Sequence, residues 1–146
     1  MARSLLVDAG FLVAMLSRRD SHHEWAVQEA SGNSPPWYTC EAVLSEAYHL
    51  LGERGKPGLN AMLSRRAVVA RFNLDDNLET IVAFLQKYAS VPMSFADACL
   101  VRMSETLADP LILTTDSDFH VYRRHSRQVV PVLCPRGRRQ SGRVSR

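Results

Sequence analysis

The stretch Ser4-Leu5-Leu6-Val7-Asp8-Ala9-Gly10-Phe11-Leu12-Val13-Ala14 decides the fold. Ser4–Val7 is a short apolar run of strand formers cut off by an acid, and Ala9 to Ser17 follows it with helical character. A continuous apolar run of this length is how a strand buried on both faces reads. The unit recurs along the chain. Trp37-Tyr38-Thr39 is a second strand, leading into a helix to about Glu53. Leu111 to Thr114 is a further strand, with Asp116 just beyond it, and Val129 to Leu133 is the last. Between them the pattern predicts helices over about His22–Ala30, Leu59–Val69, Asp75–Tyr88 and Ser94–Leu107, with a third strand at Arg71–Leu74. Gly52, Gly55, Pro57 and Gly58 punctuate the turn before Leu59. Strands alternating with helices predict an α/β fold, a parallel sheet covered by helices on both faces.

The chain has 146 residues, 46% of them hydrophobic and 23% charged, with a net charge of +3. That is the size and balance of one globular domain with its own core. The positive charge is local. Five of the 18 basic residues fall after Pro135, in a stretch with no acid; the 13 that remain stand against 15 acids, so the body carries −2. Residues 1–135 therefore read as one domain, and 136–146 as a basic, disordered tail. Cys40, Cys99 and Cys134 share no motif spacing, which predicts neither a disulfide frame nor a zinc site. Phe11–Leu16 is too short to cross a bilayer. Asp8 interrupts the only signal-like stretch. The expectation is a soluble cytoplasmic protein with no membrane association.

In an open α/β sheet, ligands bind beyond the carboxyl ends of the strands, where strand order reverses. Asp8 and Asp116 fall at such ends, and Asp118 follows two residues later. Glu46 lies two turns into the helix after Thr39, about 60° from Val43 at the edge of a Val43, Ala47, Leu50, Leu51 face. Asp97 lies in the first turn of the Ser94 helix, its direction bracketed by Leu100, Val101, Ser104 and Ala108, with Arg102 on the other side. Singly, each has an ordinary reading. Ser94-x-x-Asp97 is a capping box; Asp8 and Asp116 are strand-end turn residues; Glu46 is a solvated helix residue; Thr114 and Thr115 are strand formers. Jointly, acids from four connections meet at one end of one sheet with no matching base, which suggests a hard divalent cation. No phosphate-binding glycine loop and no Gly-x-Ser-x-Gly elbow is present, and the five histidines make no ligand spacing.

Four stretches in this order resemble a PIN domain: Leu5–Ala14, Thr39–Ala47 containing Glu46, Ser94–Leu100 containing Asp97, and Ile112–Phe119 containing Thr114, Asp116 and Asp118. The resemblance covers about residues 4–134. In size and lack of an added domain it is similar to the VapC-type toxins of prokaryotic toxin–antitoxin pairs. It implies a three-layer α/β/α domain with a five-stranded parallel sheet of order 3-2-1-4-5. It also implies a Mg²⁺- or Mn²⁺-dependent ribonuclease leaving 3′-hydroxyl and 5′-phosphate ends. Asp8, Glu46, Asp97 and Asp116 are then the catalytic and metal-site acids, with Asp118 and Thr114 auxiliary. It implies a homodimer and a cognate antitoxin as partners. Gly10 departs from the Ser or Thr that many relatives carry there. Phosphates approaching an acidic pocket need positive charge nearby, for which Arg123, Arg124 and the tail residues Arg136, Arg138 and Arg139 are candidates. Two other readings stand beside this one, a housekeeping RNA-processing nuclease and a non-catalytic nucleic-acid-binding module. A small upstream open reading frame encoding a DNA-binding peptide, if found, would favour the toxin.

Overall fold

The computed structural model describes residues 2–136. The strand β1 (Ser4–Val7) runs into helix α1 (Ala9–Leu16), then α2 (His23–Gly32), β2 (Trp37–Thr39) and α3 (Glu41–Ser64). Next come β3 (Val68–Ala70), α4 (Leu78–Lys87), α5 (Phe95–Thr106) and β4 (Pro110–Leu113). A small antiparallel hairpin, β5 (Arg123–Arg124) with β6 (Gln128–Val129), precedes β7 (Val132–Leu133). Five strands form one parallel sheet in the order β3-β2-β1-β4-β7. This is the expected 3-2-1-4-5 order, its fifth strand being β7 because the hairpin intervenes. No helix among the described residues is long and apolar enough to cross a membrane.

Leu5, Leu6 and Val7 are all buried, although consecutive strand residues face opposite ways. Both faces of the sheet are therefore covered. Helices α1, α2 and α3 pack together, as do α4 and α5. Phe11 is fully buried, with Trp25 and Trp37 edge-on at 5.9 and 5.4 Å between ring centroids. Such pairs contribute about 0.5–1.5 kcal/mol each beyond area burial. They anchor α1, and with it the end of β1, to the core. Leu12 is also fully buried, and Met15 packs on the same cluster.

Three expectations are corrected. The third strand is Val68–Ala70, not Arg71–Leu74, and the preceding helix ends at Ser64. Arg66 turns the chain with a positive φ of 62°, so Val68 and Val69 start the strand early; a short apolar run beside a helix carries no period of its own. Second, the glycine cluster does not separate two helices by a loop. Gly52 alone breaks α3, at φ 66° and ψ −170°, a conformation essentially restricted to glycine. Leu50, two residues before the break, is 54% exposed, whereas Val43 and Ala47 of the expected face are buried. Third, the final strand is Val132–Leu133. Pro131 cannot donate to a ladder, so Val129 pairs in the hairpin instead, while the Pro131 carbonyl accepts from Ile112 N–H.

Candidate active site

β1 and β4 are neighbours at the centre of the sheet, with Val7 opposite Leu113. Asp8 and Asp116 therefore leave adjacent strands. Asp8 caps α1, its Oδ1 accepting from Ala9 N–H at 2.7 Å. Its Oδ2 accepts from the Thr114 hydroxyl at 2.7 Å. The same Thr114 oxygen accepts from Asp116 N–H at 2.9 Å. A single buried hydroxyl thus joins the two strand ends. Asp116 Oδ1 accepts from Asp118 N–H at 2.8 Å, which starts the short 3-10 turn Ser117–His120 and sets Phe119 into the core.

Asp97 forms the expected capping box and also points to the core side. It closes a capping box with Ser94: its N–H donates to Ser94 Oγ at 3.0 Å, and its Oδ2 accepts from Ser94 N–H at 3.2 Å. It is also only 5% exposed, among buried Leu100, Val101 and Ser104, whereas Ala108 is exposed beyond the helix. Arg102 faces elsewhere, pairing with Glu105 at 2.9 Å. Tyr122, absent from every motif, donates its hydroxyl to Asp97 Oδ2 at 2.9 Å. Tyr122 is fully buried against Tyr88 and Phe119. Burial and the Asp97 charge push its pKa upward, so it stays a donor. An aromatic beyond the last motif carries no sequence signal for this role.

The acids feel one another. Burial raises Asp8 to about 7; the Thr114 and Ala9 hydrogen bonds oppose this, and the Asp97 and Glu46 charges add to it. Asp97 is also raised, first by burial, with the Asp116 charge contributing. Glu46, on the exposed side of α3, is raised by partial burial and by Asp97 and Asp116. Asp118 is raised by burial and by Asp116. Among the described residues, none of the three ion pairs includes any of these acids. Nor, among them, do three His, Cys, Asp or Glu side chains form a ready-made cage around one point. The donor set still fits a hard divalent ion: it is all oxygen, acidic and unmatched by a base. Mg²⁺ in particular keeps several waters and binds through one or two carboxylates.

The two body arginines expected near phosphate each make backbone hydrogen bonds while keeping their charge unpaired among the described residues. Arg123 Nη1 donates to the carbonyls of His120, Val121 and Tyr122, closing the 3-10 turn. Arg124 Nη2 donates to the Ser104 carbonyl at the end of α5. Both hold the hairpin against the body. Arg136 is exposed, and Arg138 and Arg139 lie outside the described residues.

Gly10 is explained by its neighbour. A Cβ at Gly10 would stand 2.3 Å from Thr115 Oγ1, so the threonine hydroxyl fills the space of a side chain at position 10. Gly10→Ala is expected to lower stability by about 1–3 kcal/mol through overpacking. Adding Thr115→Ala should recover most of that loss. A double-mutant cycle by denaturant unfolding reads the coupling; additive losses would contradict the contact.

The sequence profile of the PIN domain family matches residues 5–124. No curated protein sequence matches the chain. Among solved structures, the fold is similar to Mycobacterium tuberculosis VapC20, described as a sarcin–ricin loop cleaving toxin. The TM-score is 0.70 at 24% sequence identity, over 81% of this chain and 94% of that one. Both the length of the profile match and the order of the sheet lead to one assignment: the chain belongs to the PIN domain family.

Proposed function

We propose that this protein is a divalent-cation-dependent endoribonuclease, the toxin of a type II toxin–antitoxin pair. One observation carries the nuclease reading. Asp8 and Asp97 are buried carboxylates, coupled to each other and to Glu46 and Asp116, with no cation among the described residues to offset them. Leaving ionised carboxylates buried and unpaired costs several kcal/mol, which a structural role alone does not offset. Family membership supports the reading, as does the shared fold with a toxin of nearly equal extent.

Asp8, Asp97 and Asp116 would hold Mg²⁺ or Mn²⁺, with Glu46 as a further ligand or water positioner. When bound, such an ion supplies a water of lowered pKa and offsets charge on the scissile phosphate. Thr114 fixes the Asp8 carboxylate by donating to Oδ2 and steadies the Asp116 backbone. Tyr122 and Ser94 hold Asp97 Oδ2, which leaves its other oxygen for the site. Asp118, anchored to Asp116, adds negative charge at the rim. Leu78 and Val82, one turn apart on α4 and each more than two-fifths exposed, supply apolar surface for the proposed homodimer or antitoxin contact.

The purified protein should cut single-stranded RNA with Mn²⁺ or Mg²⁺ and stop with EDTA. Asp97→Asn keeps a capping oxygen, so circular dichroism should stay unchanged while cleavage falls about 100-fold or more. Cleavage at the wild-type rate would overturn the site assignment.

A further inference from the structure

An acidic site repels RNA until cations bind, so the phosphates flanking the cut must be held by the chain elsewhere. Arg123 and Arg124, the body arginines nearest the acids in sequence, are tied to backbone carbonyls. Another group of arginines is available. A cleft of about 640 Å³ opens between the end of α1 and the bend of α3. Arg18, Arg19 and Arg54 line it over an apolar floor that includes Leu16 and Leu51. All three arginines are exposed, and among the described residues none has an ion-pair partner. The acid of the cleft, Glu53, is matched by Lys56 at 2.7 Å. The lining therefore keeps the charge of three guanidinium groups on a body whose net charge is negative.

The walls of the cleft are fixed. Leu16 packs on α3 at Gly58, where an added Cβ would stand 3.2 Å from Leu16 Cδ2. The positive φ of Gly52 sets the angle that separates Leu51 from Glu53 and Arg54. Two independent rulers place the cleft relative to the acids. The eight residues of α1, which separate Asp8 from Ser17, span about 12 Å. Glu46 and Arg54 are likewise eight residues apart on α3, on the order of 12 Å of chain along the two helical arms that meet at Gly52. Both measures put the arginines a few nucleotides from the acids.

We propose that the Arg18, Arg19 and Arg54 cleft binds backbone phosphates of the RNA strand a few nucleotides from the bond to be cut. Guanidinium forks suit phosphate oxygens, and the Leu16 and Leu51 side chains face the sugar–base side. Contacts to backbone phosphates add affinity and position the strand but carry no sequence preference of their own. The inference deepens the nuclease reading and rests on it for the identity of the ligand.

The test is binding of a fluorescein-labelled oligouridylate to the full chain in EDTA, followed by anisotropy across a salt series. Arg18→Ala/Arg19→Ala/Arg54→Ala should weaken affinity at least about tenfold and reduce the log–log salt slope by about 2, from three lost contacts to a single strand. The triple lysine variant keeps the charges and should keep the slope. Unchanged affinity and slope in the alanine variant would overturn the cleft and leave the nuclease reading standing. A labelled poly-glutamate that loses binding to the alanine variant, while oligouridylate binding is unaffected, would also overturn it in favour of an acidic protein partner. An arginine-dependent slope would uphold the cleft even if Asp97→Asn cut RNA like the wild type, in which case the nuclease site alone would fail.

Discussion

Asp8→Asn is expected to abolish the proposed metal-dependent cleavage and also to flatten the pH dependence of the metal-free protein's stability. The second effect follows from linkage. Asp8 titrates near its ordinary 3.8 in the unfolded chain and near 7 in the fold, chiefly because burial disfavours the carboxylate. Between those values the folded protein binds the extra proton, so raising pH favours the unfolded state. Stability associated with neutral Asp8 is full below about pH 4 and is lost as pH rises through about 7. The loss is on the order of 4 kcal/mol. Asp97 and Glu46 shift in the same direction and add to it. Asparagine removes the Asp8 titration, so urea midpoints measured in EDTA should vary less across that window than in wild type. A wild-type profile that rises over the same range would contradict the burial argument.

Saturating Mn²⁺ is expected to raise the melting temperature by about 5–10 °C at pH 7.5 and by much less at pH 5. An ion that binds only the fold stabilises it by about 2.7 kcal/mol at a hundred times its Kd. For a domain of this size, each kcal/mol shifts the midpoint by several degrees. The pH contrast arises because protons and metal compete for the same carboxylates. Differential scanning calorimetry with and without Mn²⁺ gives the comparison, and Asp97→Asn should lose most of the shift. An equal shift in wild type and Asp97→Asn would place the ion elsewhere.

Reading the sequence alone located what is set by short-range chemistry. β1 and β2 have the expected residues, and β4 lies one residue earlier than expected, with Thr114 turning its hydroxyl to Asp8 at the strand end. Asp8 and Asp116 follow the ends of the neighbouring strands β1 and β4, as their places after two apolar runs predicted. Where distant contacts decide, the sequence is silent. Val68 and Val69 form a strand because β2 is available to pair with them. Arg123 and Arg124 read as candidates for phosphate contact, and the carbonyls that fix their position come from a turn and a helix end that no spacing reveals. Tyr122 meets Asp97 across twenty-five residues of chain. Gly10 and Thr115 make sense only as a pair in contact.

The Thr114 hydroxyl has one proton, and its geometry dictates where that proton goes. Its oxygen already accepts from Asp116 N–H, so the proton points to Asp8. Ala9 N–H occupies the other Asp8 oxygen. A proton on Asp8 keeps both donors in reach but weakens their hydrogen bonds, because a carboxyl oxygen is a poorer acceptor than a carboxylate oxygen. A cation draws on lone pairs and leaves the donors in place. The strand end thus favours a metal ion over a proton by degree: both relieve the buried charge, but the proton does so at the expense of the two hydrogen bonds' strength.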